Sequence, residues 1–137
     1  MAAVSLVTAG KLNVVESIQQ MTLPFAESVN IGQLVRIDTT TGKWTKANGT
    51  DAAEARVWGV LISKDAAGAV GTAIRKGVVD GFDLASLAYD LAIYMSDTDG
   101  GLADDAASTV DVVIGRVIPA WSTTLGTAAD KLLEIDL

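Results

Sequence analysis

The chain has 137 residues, with ten Lys and Arg against 17 Asp and Glu, no His and no Cys, and a formal charge of −7. A single domain of this size can bury a core without disulfides or metal; the acidic balance argues against a phosphate-tracking surface, which needs clustered Lys and Arg; and no apolar run approaches the roughly 20 residues of a membrane span. Without His or Cys the commonest general base, the usual nucleophile–base pairs and the soft-metal ligands are missing, so the expectation is a structural module and not an enzyme, with no cofactor and no metal.

Along the chain, the first segment carries Val4, Leu6, Val7, Leu12, Val14 and Val15, interrupted by Gly10 and polar residues. It lacks the leading basic cluster of a secretory signal and reads as a mature start. Two readings stand for residues 1–17. One is an extended arm that adds a strand to a partner, with backbone hydrogen bonds supplying the affinity. The other is a first strand of the same domain, or a loose tail. The first makes those six apolar side chains the contact and leaves 18–137 as a single β domain.

From there period-two alternation dominates. Strands are expected over 18–23, 33–38, 43–47, 56–63, 71–79, 91–96 and 109–120, all rich in Val, Ile and Thr. The chain closes on Leu133, Ile135 and Leu137 facing one way and Glu134 and Asp136 the other, as successive strand side chains must. Turn chemistry separates the strands at 40–42, 48–49, 67–68 and 97–101. Pro24 and Pro119 lack an amide donor and belong at strand ends or edges. Single helical turns are expected over 51–56 and after Asp83.

An internal echo organises these elements. Residues 33–38, Gly42, an Ala-rich stretch and 59–62 reappear as 90–95, Gly100, a second Ala-rich stretch and 115–118, at a spacing of 56 to 58 residues (Leu34 to Leu91, Gly42 to Gly100, Gly59 to Gly115, Ile62 to Ile118). One hairpin with a return strand is used twice. Two copies are too few for a solenoid. A closed or nearly closed β structure suits them, because closure hides strand edges. Gly59 and Gly115 sit inside apolar strands, where Gly marks a bulge or a close backbone approach.

Three features invite a chemical reading. Asp97, Asp99, Asp104 and Asp105 faintly resemble a calcium loop, but the third acidic position and the closing Glu are absent, and solvated turn residues explain them. Lys64, beside Asp65 and Ala66, shares three residues with a lipoyl-attachment turn, too short a motif to weigh against a solvated hairpin Lys. Of the three Trp, Trp58 between Val57 and Val60 reads as core, whereas Trp44 and Trp121 are candidate interface anchors or, alternatively, a sugar-stacking platform.

The runs Ile31-Gly32-Gln33-Leu34-Val35-Arg36-Ile37-Asp38, Gly42-Lys43-Trp44-Thr45-Lys46-Ala47, Val57-Trp58-Gly59-Val60, Gly77-Val78-Val79 and Asp90-Leu91-Ala92-Ile93-Tyr94-Met95-Ser96 resemble the capsid cement, or head-decoration, proteins of tailed phages. The resemblance covers about residues 25 to 120 and is distributed, with no sharp signature. It implies an all-β domain, a small β-barrel or β-tulip, often a homotrimer. Such a domain docks on the major capsid protein at the outer surface of the expanded head, touches neither nucleic acid nor membrane, and has no catalytic residues to carry over. The alternative expectation is a phage fibre or baseplate β-module that binds host glycan through Trp44 or Trp121.

Overall fold

A computed structural model of the chain describes residues 2–120 and 131–137. The described residues contain no helix. They form ten strands: β1 (Ala3–Val4), β2 (Asn13–Pro24), β3 (Leu34–Ile37), β4 (Trp44–Lys46), β5 (Gly59–Lys64), β6 (Val70–Asp80), β7 (Ala92–Met95), β8 (Leu102–Ala103), β9 (Val113–Pro119) and β10 (Lys131–Asp136). Every ladder between them is antiparallel, in the order β1-β8-β7-β9-β10-β6-β5-β3-β4, with β2 added on β6. The sheet curls into a half-barrel.

The echo in the sequence is an echo in topology. β3 pairs with β4 on one side and with the return strand β5 on the other, and β7 does the same with β8 and β9. The two hairpin turns match closely. The Asp38 N–H donates to the Lys43 carbonyl at 2.8 Å, and the Ser96 N–H to that of Gly101 at 3.0 Å. Each turn needs one residue in the left-handed region, where a Cβ is costly, and Gly42 (φ 69°) and Gly100 (φ 70°) supply it. Asp38 Oδ1 accepts from the Thr40 and Thr41 amides, and Ser96 Oγ accepts from that of Thr98 in the same place.

β6 joins the two units. Its first half pairs with β5 through Gly71–Ile74 and its second half with β10 through Lys76–Val79, while β2 runs along nearly its whole length. At the far side of the curl the units interlock through loop backbone: Leu34 N–H to Gly100 O at 2.8 Å, Gly100 N–H to Ala47 O at 2.7 Å, and Gly49 N–H to Ser96 O at 2.9 Å.

Alternation sorts the apolar side chains onto two faces. Leu34, Val60 and Ile74 enter the main core with Val79, Ile93, Met95, Ile114, Val117, Leu133 and Ile135. Their neighbours Val35, Leu61 and Ala73 enter a second, smaller cluster with Val29 and Trp44. Each fully buried branched or aromatic side chain contributes about 1.5–3 kcal/mol relative to exposure. At the C-terminus Leu133 and Ile135 face the core, whereas Glu134 meets Arg116 and Asp136 meets Lys76.

The stretches at 51–56 and after Asp83 make single hydrogen-bonded turns and no helix: the Glu54 N–H donates to Asp51 O and the Leu87 N–H to Leu84 O, both at 3.1 Å, while Asp51 and Asp83 each accept an amide two residues on, from Ala53 and Ala85. Two expectations are corrected. The boundary at 17/18 falls inside β2 and separates no arm from the domain. The return strands start later than expected, at Gly59 and Val113.

Candidate docking surface

The N-terminal segment lies folded along its own domain. β1 pairs with β8, the Ala2 N–H donates to Asp104 Oδ1 at 2.8 Å, Asp83 N–H donates to Ser5 O at 2.7 Å, and Leu6 bridges Phe82. Val4 is in the main core, with Leu6 and Leu12 packed against it. Leu6 seats on Gly32, where a Cβ would come within 2.9 Å of its Cδ1. Three of the six candidate arm residues, Val4, Leu6 and Leu12, are therefore committed to the chain's own fold.

Val7, Val14 and Val15 remain exposed. Val7 N–H donates to Gly81 O at 2.8 Å, and Val14 pairs with Val79, so the C-terminal end of β6 brings Val7 and Val14 to one place. Val15 has no partner on β6, because the register shifts between Val14 and Glu16. All three therefore stand exposed on the segment that runs against the C-terminal end of β6. Sequence reasoning missed a further exposed apolar residue, Ile18 on β2, which is 68% exposed. The expectation of a strand over 18–23 assigned no role to Ile18, and the register shift between Ser17 and Gln19 interrupts the ladder at that residue.

Trp44, expected at an interface, is fully buried. Its Nε1–H donates to Gly71 O at 2.8 Å, and its ring meets that of Trp58 at 5.5 Å between centroids. Arg75 lies 5.6 Å over the Trp58 ring and donates to the Trp58 carbonyl at 3.1 Å. Trp44 thus presents no open face to a partner or a sugar ring. Trp121 lies outside the described residues.

The acidic residues and Lys64 are tied into loops. Asp97 accepts from the Ser108 amide and hydroxyl, Asp99 from the buried Asn48 amide, and Asp104 from Ala2. Among the described residues no group of three or more acidic side chains could hold a metal ion. Lys64 Nζ donates to Val29 O at 3.1 Å. A groove of about 680 Å³ between the N-terminal segment and the loops at 30–33 and 96–102 has Leu6, Ile31, Phe82 and Leu102 among its lining, and the two charged side chains there, Lys64 and Asp99, are those already bonded.

Glu27 and Asp38 titrate below their ordinary values. Burial pushes Glu27 upward, but the Thr45 hydroxyl, the Lys46 amide and the Lys46 charge outweigh it and hold the group below the ordinary glutamate value. The Thr41 and Thr40 amides hold Asp38 below the ordinary aspartate value. Both carboxylates fasten loops next to β4.

Among the described residues no helix is long and apolar enough to cross a membrane. Comparison with protein families, with characterised proteins and with solved structures finds no significant match.

Proposed function

We propose that the chain is a non-catalytic decoration protein that binds the major capsid protein on the outside of an expanded phage head and stabilises that state against internal DNA pressure. The observation that carries this reading is the exposure of Val7, Val14 and Val15, on the segment beside the C-terminal end of β6, in a protein of charge −7. A cluster of exposed apolar side chains marks a contact surface, and these three lie on the segment that runs against the end of the strand joining both halves of the domain. The distributed resemblance of residues 25 to 120 to phage cement proteins supplies the partner, and the curled all-β architecture agrees with it. By the same resemblance the assembly on the head is a trimer.

The mechanism is linkage. A protein that binds the expanded lattice and not its precursor lowers the free energy of the expanded state, and many modest contacts on one shell act together. The acidic surface suits a position outside the shell, away from packaged DNA.

Co-sedimentation with expanded and unexpanded heads of the encoding phage tests the reading. Saturable binding to expanded heads alone, a gain in their heat resistance, and loss of both in the Val7→Lys/Val14→Lys/Val15→Lys variant are expected. Absence of binding to either kind of head would sink it.

A further inference from the structure

We infer that Asn48-Gly49 is a self-modifying site held in check by the contact between the two halves of the domain, and that its deamidation is a one-way release of that contact. It is the one Asn-Gly pair in the chain. Gly sets no side chain beside its own amide nitrogen and is the most flexible residue, so in a loose chain an Asn before Gly closes on itself most readily. The Gly49 nitrogen attacks Asn48 Cγ, the new N–C bond closes a five-membered succinimide, and Nδ2 leaves as ammonia. Water then opens the ring to aspartate or, through the other carbonyl, to isoaspartate. Water and hydroxide are the only co-reactants.

The fold withholds both reacting groups. The Gly49 N–H donates to Ser96 O across the contact at 2.9 Å. Asn48 is buried, and its whole amide capacity is in use. Nδ2 donates to Glu54 Oε2 at 3.0 Å and to Asp99 Oδ1, while Oδ1 accepts from the Thr50 N–H at 3.0 Å and from its hydroxyl at 2.6 Å. Opposite it, Asp99-Gly100 is fixed in the same manner: the Asp99 side chain bonds Asn48, and the Gly100 N–H donates to Ala47 O at 2.7 Å. Each pair is thus clamped by the other half of the domain. Position 49 admits no slower-reacting residue, because a Cβ there would run into that of Ala107.

The product does not fit the place. Aspartate at position 48 sets a third carboxylate against Glu54 and Asp99, where the amide had donated to both. The one guanidinium at hand, that of Arg36, already stands 3.9 Å from Glu54. Like charges this close and partly withdrawn from water oppose one another. Isoaspartate adds a main-chain carbon and carries the Gly49 N–H away from Ser96. Ammonia is lost, so refolding does not reverse the change. An excursion that opens the contact long enough for the ring to close therefore leaves it open.

The test uses the purified full chain without heads, so its outcome is independent of capsid binding. The protein is incubated at mildly alkaline pH and sampled by peptide mass spectrometry with isoaspartate detection. Folded chain should keep Asn48 at least about tenfold longer than chain in urea, because the reaction waits for local opening. Asn13 and Asn30, each before a β-branched residue, serve as internal standards. Asp99→Ser removes one acceptor without touching either reacting residue, and should speed conversion in the folded protein several-fold. Asn48→Asp should melt below the parent at pH 7, by a gap that narrows as acid protonates the three carboxylates. Adding Asp99→Asn should recover part of the gap by supplying the amide from the opposite side. Equal rates in folded and unfolded chain, no acceleration by Asp99→Ser, or an Asn48→Asp protein as stable as the parent at pH 7 would each overturn the inference. If Asp99→Ser does not fold, the rates of the native chain with and without urea, together with the Asn48→Asp melts, still decide.

Discussion

Gly59 and Gly115 hold the same place in the two halves of the domain: each lies on a return strand whose neighbour comes so close that a Cβ would run into a backbone carbonyl, that of Ile74 for Gly59 and that of Glu134 for Gly115. Gly59 pairs with Val35, and Gly115 with Ile93, so the duplicated unit reproduces its backbone contacts as well as its strand order. Neither position has a positive φ. The constraint is proximity, not backbone conformation.

Ala at either glycine should therefore destabilise the fold, by about 1–3 kcal/mol as overpacking against backbone that cannot swing aside. Gly68, at a turn with open space around it, serves as a contrast: Ala there meets only the cost of a left-handed backbone, about 1–2 kcal/mol. Urea denaturation of the three variants measures the difference, and a Gly115→Ala protein as stable as the parent would contradict the close approach.

Trp44→Ala removes a fully buried indole and its bond to Gly71 O, and a loss of about 3–5 kcal/mol is expected. Trp44→Phe should lose less, keep the fold, and leave head binding at its original affinity. A selective fall in head binding by folded Trp44→Phe protein would restore Trp44 to an interface.

The N-terminal segment should behave as part of the domain. Deleting residues 1–12 uncovers the seats of Val4, Leu6 and Leu12, at a cost of about 2–5 kcal/mol. Val7→Lys, which changes an exposed side chain, should melt within a degree or two of the parent. Thermal melts followed by circular dichroism separate these outcomes, and an undiminished melting temperature after deletion would return the segment to the status of a free arm.

Acid should loosen the region around β4. Glu27 and Asp38 titrate below their ordinary values in the folded chain, so the stability they confer is fully present above the unfolded-state carboxylate range, near pH 4, and disappears as pH falls through the lower, folded-state value. Glu27→Gln should be less stable than the parent at pH 7, and the gap should close as the pH is lowered toward 3. A gap that widens on acidification would reverse the sign of the assignment.

Much of this architecture was legible in the residues. Strands with clean alternation, such as those around Leu34, Ile93 and Leu133, emerged near their observed bounds, and the spacing of Gly42 to Gly100 exposed the duplication because a left-handed turn position admits few other residues. β1 and β8 were invisible, since two residues carry no periodicity. β2 was cut short at its start because its bulges near Val15 and Ile18 destroy the period on which a strand is recognised. Trp44 misled for another reason: flanked by Lys43 and Thr45 it looks solvent-facing, yet Thr45 is itself buried with its hydroxyl bonded to Glu27. The burial of Trp44 depends on Gly71, on Trp58 and on Phe25, none of them next to it in sequence.

β6 is one continuous strand with a different half of the domain fastened to each of its ends. A pull along its axis that draws the halves apart loads the β5 and β10 ladders in shear, so that their hydrogen bonds must yield together and cannot unzip one at a time. Resistance to stretching is then set by the covalent backbone of a single strand and by the length of its ladders. It should be anisotropic: stiff along β6, and compliant across the loop contacts between Gly49 and Ser96, where a few bonds can part in sequence.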